Sequence, residues 1–197
     1  MFSGMPLFEA TAPAPMSDIR RRKLNRMFEV LDSDHAGLIT EEGSLRLGRA
    51  FAEAAGSGAD ARRQDQLAAT AREIWREYDP SPDATGVRQL DQERFAQEIA
   101  IDLVRDPDKV IRLIGSLTNV LFGMLDRDGD GRIRKDDTIP LAVRFLGISE
   151  EEATTTWERF DATGQGHLTY ATCLKAFTEY VVSEDPQASG NWVFGHF

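Results

Sequence analysis

Asp126, Asp128 and Asp130 stand at alternate positions directly ahead of Gly131, and Ile133 and Asp137 complete a run of 12 residues, 126–137. Carboxylates at every second residue can converge on one hard cation when a glycine at the sixth position takes the sharp turn between them. This run has carboxylates at positions 1, 3 and 5, the Arg132 carbonyl at 7, an apolar Ile133 at 8 and Asp137 at 12. The pattern is that of a calcium loop. Asp137 stands where a glutamate, one methylene longer, would supply two oxygens, so the spacing predicts weaker calcium binding and a shift toward magnesium, which wants only about six ligands. Arg127, Arg132, Arg134 and Lys135 nearly balance the five aspartates of the loop and reduce the field that draws a divalent ion in.

Three other turns share the outline without the ligands. Asp32 and Asp34 are followed by Ala36 at position 5, Gly37 at 6, Ile39 at 8 and Gly43 at 12, too few carboxylates for a cage of about six to eight oxygens. Asp161, Gly166 and Leu168 keep the turn, but Thr163, Gln165 and Thr172 replace its acids. The turn between Asp79 and Arg94 is too long, and with Leu90 at position 8 its closing position falls on a cation, Arg94. Retained glycines and apolar residues at position 8 imply a structural duty. Paired loops join there through a short two-stranded contact, expected between Ile133 and Leu168 and between Ile39 and Leu90.

The elements that position these turns are helices. Ile19, Leu24, Met27, Phe28 and Leu31 recur at helical spacing over 17–31, with Ser17 or Asp18 as cap and Arg20, Arg21, Arg22 and Arg26 on a solvated face. A second helix carries Leu45, Leu47, Phe51 and Ala55 and ends at Gly56-Ser57-Gly58; a third runs from about 59 to 78, where Asp79-Pro80-Ser81-Pro82 forbids continuation. Phe95, Ile99, Leu103 and Val104 mark the fourth. After Asp106-Pro107 the fifth and most apolar helix, from Val110 to Leu125, has a stripe wide enough to sit centrally in the core. A sixth covers about 136–146, Ser149 with Glu152 forms a capping box for the seventh, and the eighth spans 170–182. Eight helices around four turns make an internal repeat of helix-loop-helix units, two paired halves meeting near 105–108.

The whole chain sets limits on function. Its 197 residues, 41% hydrophobic, bury a sizeable core, and 33 acids against 23 Lys and Arg leave a formal net charge of -10. That sign suits cations and argues against nucleic acid or an anionic membrane. The single cysteine, Cys173, allows no intramolecular disulfide, so a reducing cytoplasm is expected, with the thiol inert and buried. Residues 1–16 read as a disordered leader, with Met16 an alternative start. No phosphate loop, nucleophile elbow or zinc spacing occurs, and His35, His167 and His196 are too scattered for a catalytic cluster. Trp75, Tyr78, Trp157, Tyr170, Tyr180 and Trp192 read as core and rim.

Four segments carry a family likeness: Lys23-Leu24-Asn25-Arg26-Met27-Phe28, the loop at Asp126, Trp157-Glu158-Arg159-Phe160-Asp161 and Asn191-Trp192-Val193-Phe194-Gly195. Through them the chain resembles, over about 17–197, the calerythrin and sarcoplasmic calcium-binding protein family of the EF-hand superfamily. The resemblance implies an all-α body of four EF-hand units: an N-terminal pair with degenerate loops (17–105), a C-terminal pair (106–184) and an aromatic tail (185–197) folded back onto the core. It also implies calcium and magnesium as ligands. One good loop where the family usually has three argues against buffering; a monomeric, metal-stabilised or calcium-responsive regulatory protein is expected, with a small apolar ligand or a protein target as partner. Related photoproteins and luciferin-binding proteins enclose an apolar organic ligand among aromatic and histidine side chains, so the competing readings are a carrier, or an enzyme built on that body.

Overall fold

The computed structural model describes residues 16–56, 58, 60–78 and 88–196, the Tyr78 side chain excepted. The leader at 1–15, the turn expected at 79–82, the Tyr78 side chain and Phe197 lie outside these described residues. Within them the protein is all-α, as the periodicity predicts. In chain order the helices are α1 (Asp18–Leu31), α2 (Glu41–Ala54), α3 (Ala61–Tyr78), α4 (Gln92–Arg105), α5 (Pro107–Leu125), α6 (Lys135–Leu146), α7 (Glu150–Phe160) and α8 (Tyr170–Val182). Four short strands join the loops: β1 (Ile39–Thr40), β2 (Gln89–Leu90), β3 (Arg132–Arg134) and β4 (His167–Thr169). β1 pairs antiparallel with β2, with Ile39 opposite Leu90, and β3 pairs with β4, with Ile133 opposite Leu168. All four of these residues are buried, so each contact both ties two loops together and roofs the core.

Local chemistry fixes the helix starts. Ser17 accepts the Arg20 N–H at 3.3 Å, Asp91 the Arg94 N–H at 2.8 Å and Asp106 the Lys109 N–H at 3.0 Å, each satisfying a donor with no partner inside its helix. Asp106 ends α4 and begins α5, with Pro107 in the first turn. Ser149 caps α7 by accepting from the Glu152 N–H at 3.1 Å, but the reciprocal half of the capping box is diverted: the Glu152 carboxylate accepts the His196 N–H at 2.7 Å.

Three apolar clusters meet at α5. Leu24, Phe28, Trp75, Phe95, Ile99, Tyr180 and Phe194 pack with Val110; Ile133, Ile139, Trp157 and Leu168 pack with Phe122; Ala52, Ala55, Leu67 and Leu141 pack with Val120 and Met124. The central placement read from its apolar stripe is therefore observed. Thr118 within it is buried, its hydroxyl donating to the Ile114 carbonyl at 2.7 Å.

The basic face of α1 differs from expectation. Arg21 and Arg22 are exposed, but the others of this face work inside the fold. Lys23 is 1% exposed and donates through Nζ to the carbonyls of Ser183 at 2.8 Å and Glu179 at 3.4 Å, while Arg20 donates to Val182 at 3.3 Å. α8 has no basic residue in its last turn, so α1 supplies the cations that its C-terminal carbonyls attract. The Tyr180 hydroxyl returns a bond to the Lys23 carbonyl at 2.6 Å. Arg26 reaches further, donating through Nε to the Phe194 carbonyl at 3.0 Å and through Nη2 to the Leu146 carbonyl. Helical spacing marks such residues as outward; only long-range packing reveals their partners.

The tail turns at a 3-10 segment (Ser189–Trp192) and lays Phe194 against Tyr180 and Phe177, at ring separations of 4.9 and 5.9 Å. Trp192 is only half-buried, with the Arg159 guanidinium 4.2 Å over its ring. Gly190 makes the approach: a Cβ there would stand 2.5 Å from the Glu179 Cβ and 2.6 Å from the Ala176 carbonyl oxygen. Gly190→Ala should lift the tail from α8 and cost about 1–3 kcal/mol in chemical denaturation, most of what deleting residues 186–197 costs.

Burial, reinforced by Arg20, lowers the Lys23 ammonium from 10.5 to about 8, with Glu184 and Glu179 partly opposing. Between those values the unfolded chain holds a proton that the folded chain has released, so this site penalises folding fully below pH 8 and ceases to do so as pH rises toward 10.5. Relative to Lys23→Met, the wild type should gain about 1 kcal/mol of stability per pH unit between pH 8.5 and 9.5, read from denaturation midpoints.

Candidate metal centre

α5 ends at Asp126, whose own N–H donates to the Phe122 carbonyl at 2.8 Å, and the loop turns through Gly129 and Gly131, at φ of 71° and 78°. A Cβ is disfavoured in that left-handed region, so the two glycines are what let the aspartates face one another. One carboxylate oxygen each from Asp126, Asp128 and Asp130 lies within 4.8 Å of the others. Asp126 Oδ2 accepts the Gly131 N–H at 3.1 Å, and Asp128 Oδ1 accepts the Asp130 N–H at 3.3 Å. The remaining oxygen, Asp126 Oδ1, is buried and has no hydrogen-bond partner.

The degenerate loops differ at that atom. Asp32 accepts the Ala36 N–H on one oxygen at 3.0 Å and the Gly37 N–H on the other at 2.9 Å; Asp161 does the same with Gln165 at 2.8 Å and Gly166 at 2.7 Å. Both carboxylates are consumed in shaping their turns. Asp34 is paired with Arg46 at 3.0 Å, and Thr172 is drawn into the cap of α8 by Thr169. The closing position expected at Arg94 lies in the first turn of α4, with its Nε 3.8 Å from Glu98, while 79–87 of that loop lie outside the described residues.

Two arginines enter the loop at 126–137. Arg134 donates to Asp130 at 2.5 Å and lies 3.4 Å from Asp128. Desolvation opposes it, yet the hydrogen bond and charge of Arg134 hold the Asp130 carboxyl below the usual range. Arg127 is paired with Asp137, which sits in the first turn of α6. The structure thus gathers Asp126, Asp128 and Asp130, holds Asp137 on an arginine, and sets Arg132 in β3 opposite Thr169. The donor set suits a hard divalent ion, since three hard oxygens converge and one of them is buried with no partner.

A second feature was not legible in the spacing. An apolar cavity of about 410 Å³ lies among the helices, lined among others by Trp75, Phe122, Trp157, Cys173 and Phe194. Thr156 also lines it, and its buried Oγ1 has no hydrogen-bond partner. Of the aromatic residues singled out in the sequence, Trp75 and Trp157 line it, while Tyr170, Tyr180, Trp192 and the three histidines are not among its lining residues. Burial pushes the Cys173 thiol up to about 12. In the native protein at pH 8 its alkylation should run at least about a hundredfold slower than in denaturant, followed by mass spectrometry.

No protein-family model and no curated protein matches the chain. Solved structures do. It is similar to a calcium-binding protein of Streptomyces coelicolor, described as a basis for prokaryotic calcium-mediated regulation, at 22% identity and a TM-score of 0.64 over 83% of this chain and 98% of that one. It is similar to okadaic acid binding protein 2.1 at 19% identity and a TM-score of 0.73, over 92% and 97% of the two chains. Against a sarcoplasmic calcium-binding protein from amphioxus the values are 15% and 0.67, over 93% and 100%. At such identities the likeness establishes the fold, which is the all-helical body of the EF-hand proteins.

Proposed function

We propose that the protein binds one divalent cation, calcium with magnesium as competitor, at the loop 126–137, and serves as a metal-stabilised or calcium-responsive regulatory protein. Asp126, Asp128, Asp130 and Asp137 supply carboxylates and Arg132 its carbonyl. The observation that carries this reading is the buried, unpartnered Oδ1 of Asp126 beside two converging carboxylates, in a loop whose degenerate counterparts at Asp32 and Asp161, among the described residues, leave no such oxygen free. The similar Streptomyces and amphioxus proteins are described as calcium-binding, which supports the choice of ion. A site of this size holds the end of α5 to the start of α6, and α5 packs in all three clusters, so an ion here stabilises the body rather than one loop. The acidic surface fits a monomer in a cytoplasm-like medium, and among the described residues no helix is long and apolar enough to cross a membrane.

A second reading rests on the cavity. Its volume, about 410 Å³, and its apolar walls suit a small, largely apolar organic molecule, with Thr156 Oγ1 as one polar contact. A protein of similar fold is named for binding okadaic acid, which supports an organic ligand on this body. Extraction of the purified protein into organic solvent, followed by mass spectrometry, separates carrier from empty body.

Native mass spectrometry with added calcium should show one ion per chain, lost in Asp126→Ala; two or more tight ions would overturn the loop assignments. Lengthening the closing side chain restores the missing oxygen. Asp137→Glu should raise calcium affinity on the order of tenfold and leave magnesium binding flat or weaker, as read by competitive titration. Strong discrimination for calcium by the wild type at millimolar magnesium would show that Asp137 already closes the shell.

A further inference from the structure

The loop 126–137 carries its own cations, and their placement sets how the site works. Arg127, at position 2, holds the carboxylate of Asp137 at position 12. Arg134, at position 9, holds Asp130 and approaches Asp128, at positions 5 and 3. Of the four carboxylates assigned as ligands, the one at position 1 is in none of these ion pairs. We propose that Arg127 and Arg134 are tethered competitors for the metal site, so that a divalent ion binds by displacing them, and that Arg127 transmits this displacement to α2. The inference rests on the metal reading given above and concerns its regulation.

Two guanidinium charges leave the carboxylates as one doubly charged ion arrives, so the exchange is close to charge-neutral at the site. Long-range attraction for the ion is correspondingly small, and the free energy of binding is the difference between metal ligation and two ion pairs. Each pair is solvent-accessible, with side-chain exposures of 53% and 30% for Arg127 and Asp137, which keeps it displaceable rather than permanent. A loop filled in this way keeps its shape without metal and responds only above a raised ion concentration.

Arg127 also touches the other half of the chain. Its Nη1 lies 3.1 Å, and its Cδ 3.5 Å, from where a Cβ on Gly56 would stand, and Gly56 follows the end of α2 at φ 76°. The glycine leaves room for the arginine. From α3, Arg63 donates to the Asp126 carbonyl at 2.9 Å while paired with Asp60 at 3.2 Å, so both ends of the α2–α3 connection meet the loop. Release of Asp137 frees the Arg127 head and changes its contact at Gly56.

The test is calorimetric titration of the full chain with calcium and with magnesium, for the wild type, Arg127→Ala, Arg134→Ala and Asp126→Ala, joined to hydrogen exchange of residues 51–56. Removing Arg127 should tighten calcium binding about fivefold, and removing Arg134 should act in the same direction. Calcium should alter exchange at 51–56 in the wild type and leave it unaltered in Arg127→Ala. A wild type that binds only weakly beside an Arg127→Ala that binds well also supports the competitor. Unchanged or weaker binding in Arg127→Ala, with the wild type binding and Asp126→Ala not, overturns the competitor and leaves the metal site standing. Failure of every variant to bind either ion up to millimolar concentration overturns the metal reading itself.

Discussion

Each described calcium-type turn of this protein is closed by one interaction: a carboxylate at the first position accepts the N–H of the glycine at the sixth. Asp32 with Gly37, Asp126 with Gly131 and Asp161 with Gly166 repeat it at 2.7–3.1 Å. The bond fixes the direction in which the chain leaves one helix and enters the strand before the next. It also decides what oxygen remains. Where a second backbone N–H takes the other oxygen, the turn is complete without an ion; at Asp126 the second oxygen is buried and unclaimed. Closing the turn and leaving an oxygen unclaimed are thus separable properties of one motif, and the described turns display both outcomes.

The turns in turn hold the body together. Ile39 with Leu90 and Ile133 with Leu168 roof two apolar clusters, and α5 runs from one cluster through the others. A cavity remains where the large side chains of several helices fail to fill the space between them. The charge pattern follows a related economy, in which α1 cations serve α8 carbonyls and loop arginines serve loop carboxylates.

What the sequence made legible was local. Alternating aspartates, a glycine at the sixth position, serine and aspartate caps and 3.6-residue periodicity placed the helices, with the starts of α2, α4 and α5 three or four residues ahead of their first marked apolar residue, and the strand partners by identity, because each is set by neighbours a few residues apart. The buried Lys23, the span from Arg26 to Phe194 and the diversion of Glu152 to His196 were hidden, since each joins residues that no periodicity relates. The loop basics read only as a diffuse counter-charge, whereas geometry makes Arg127 and Arg134 specific partners of particular carboxylates. The cavity is the least legible feature, being what packing leaves over.

The pinning of Phe194 onto the cluster begun by Leu24 and Phe28 has a consequence for the order of events on the ribosome. Arg26 and Phe194 are 168 residues apart, and the wall that Phe194, Tyr180 and Val181 give the first cluster is the last described part of the body to be synthesised. α1 and α4 can meet early, but their cluster stays open on the α8 side until residue 194 has left the exit tunnel, so the nascent chain presents an unsealed apolar face until then. A chain cut short within α8 consequently keeps the loop 126–137 yet lacks the piece that seals the first cluster.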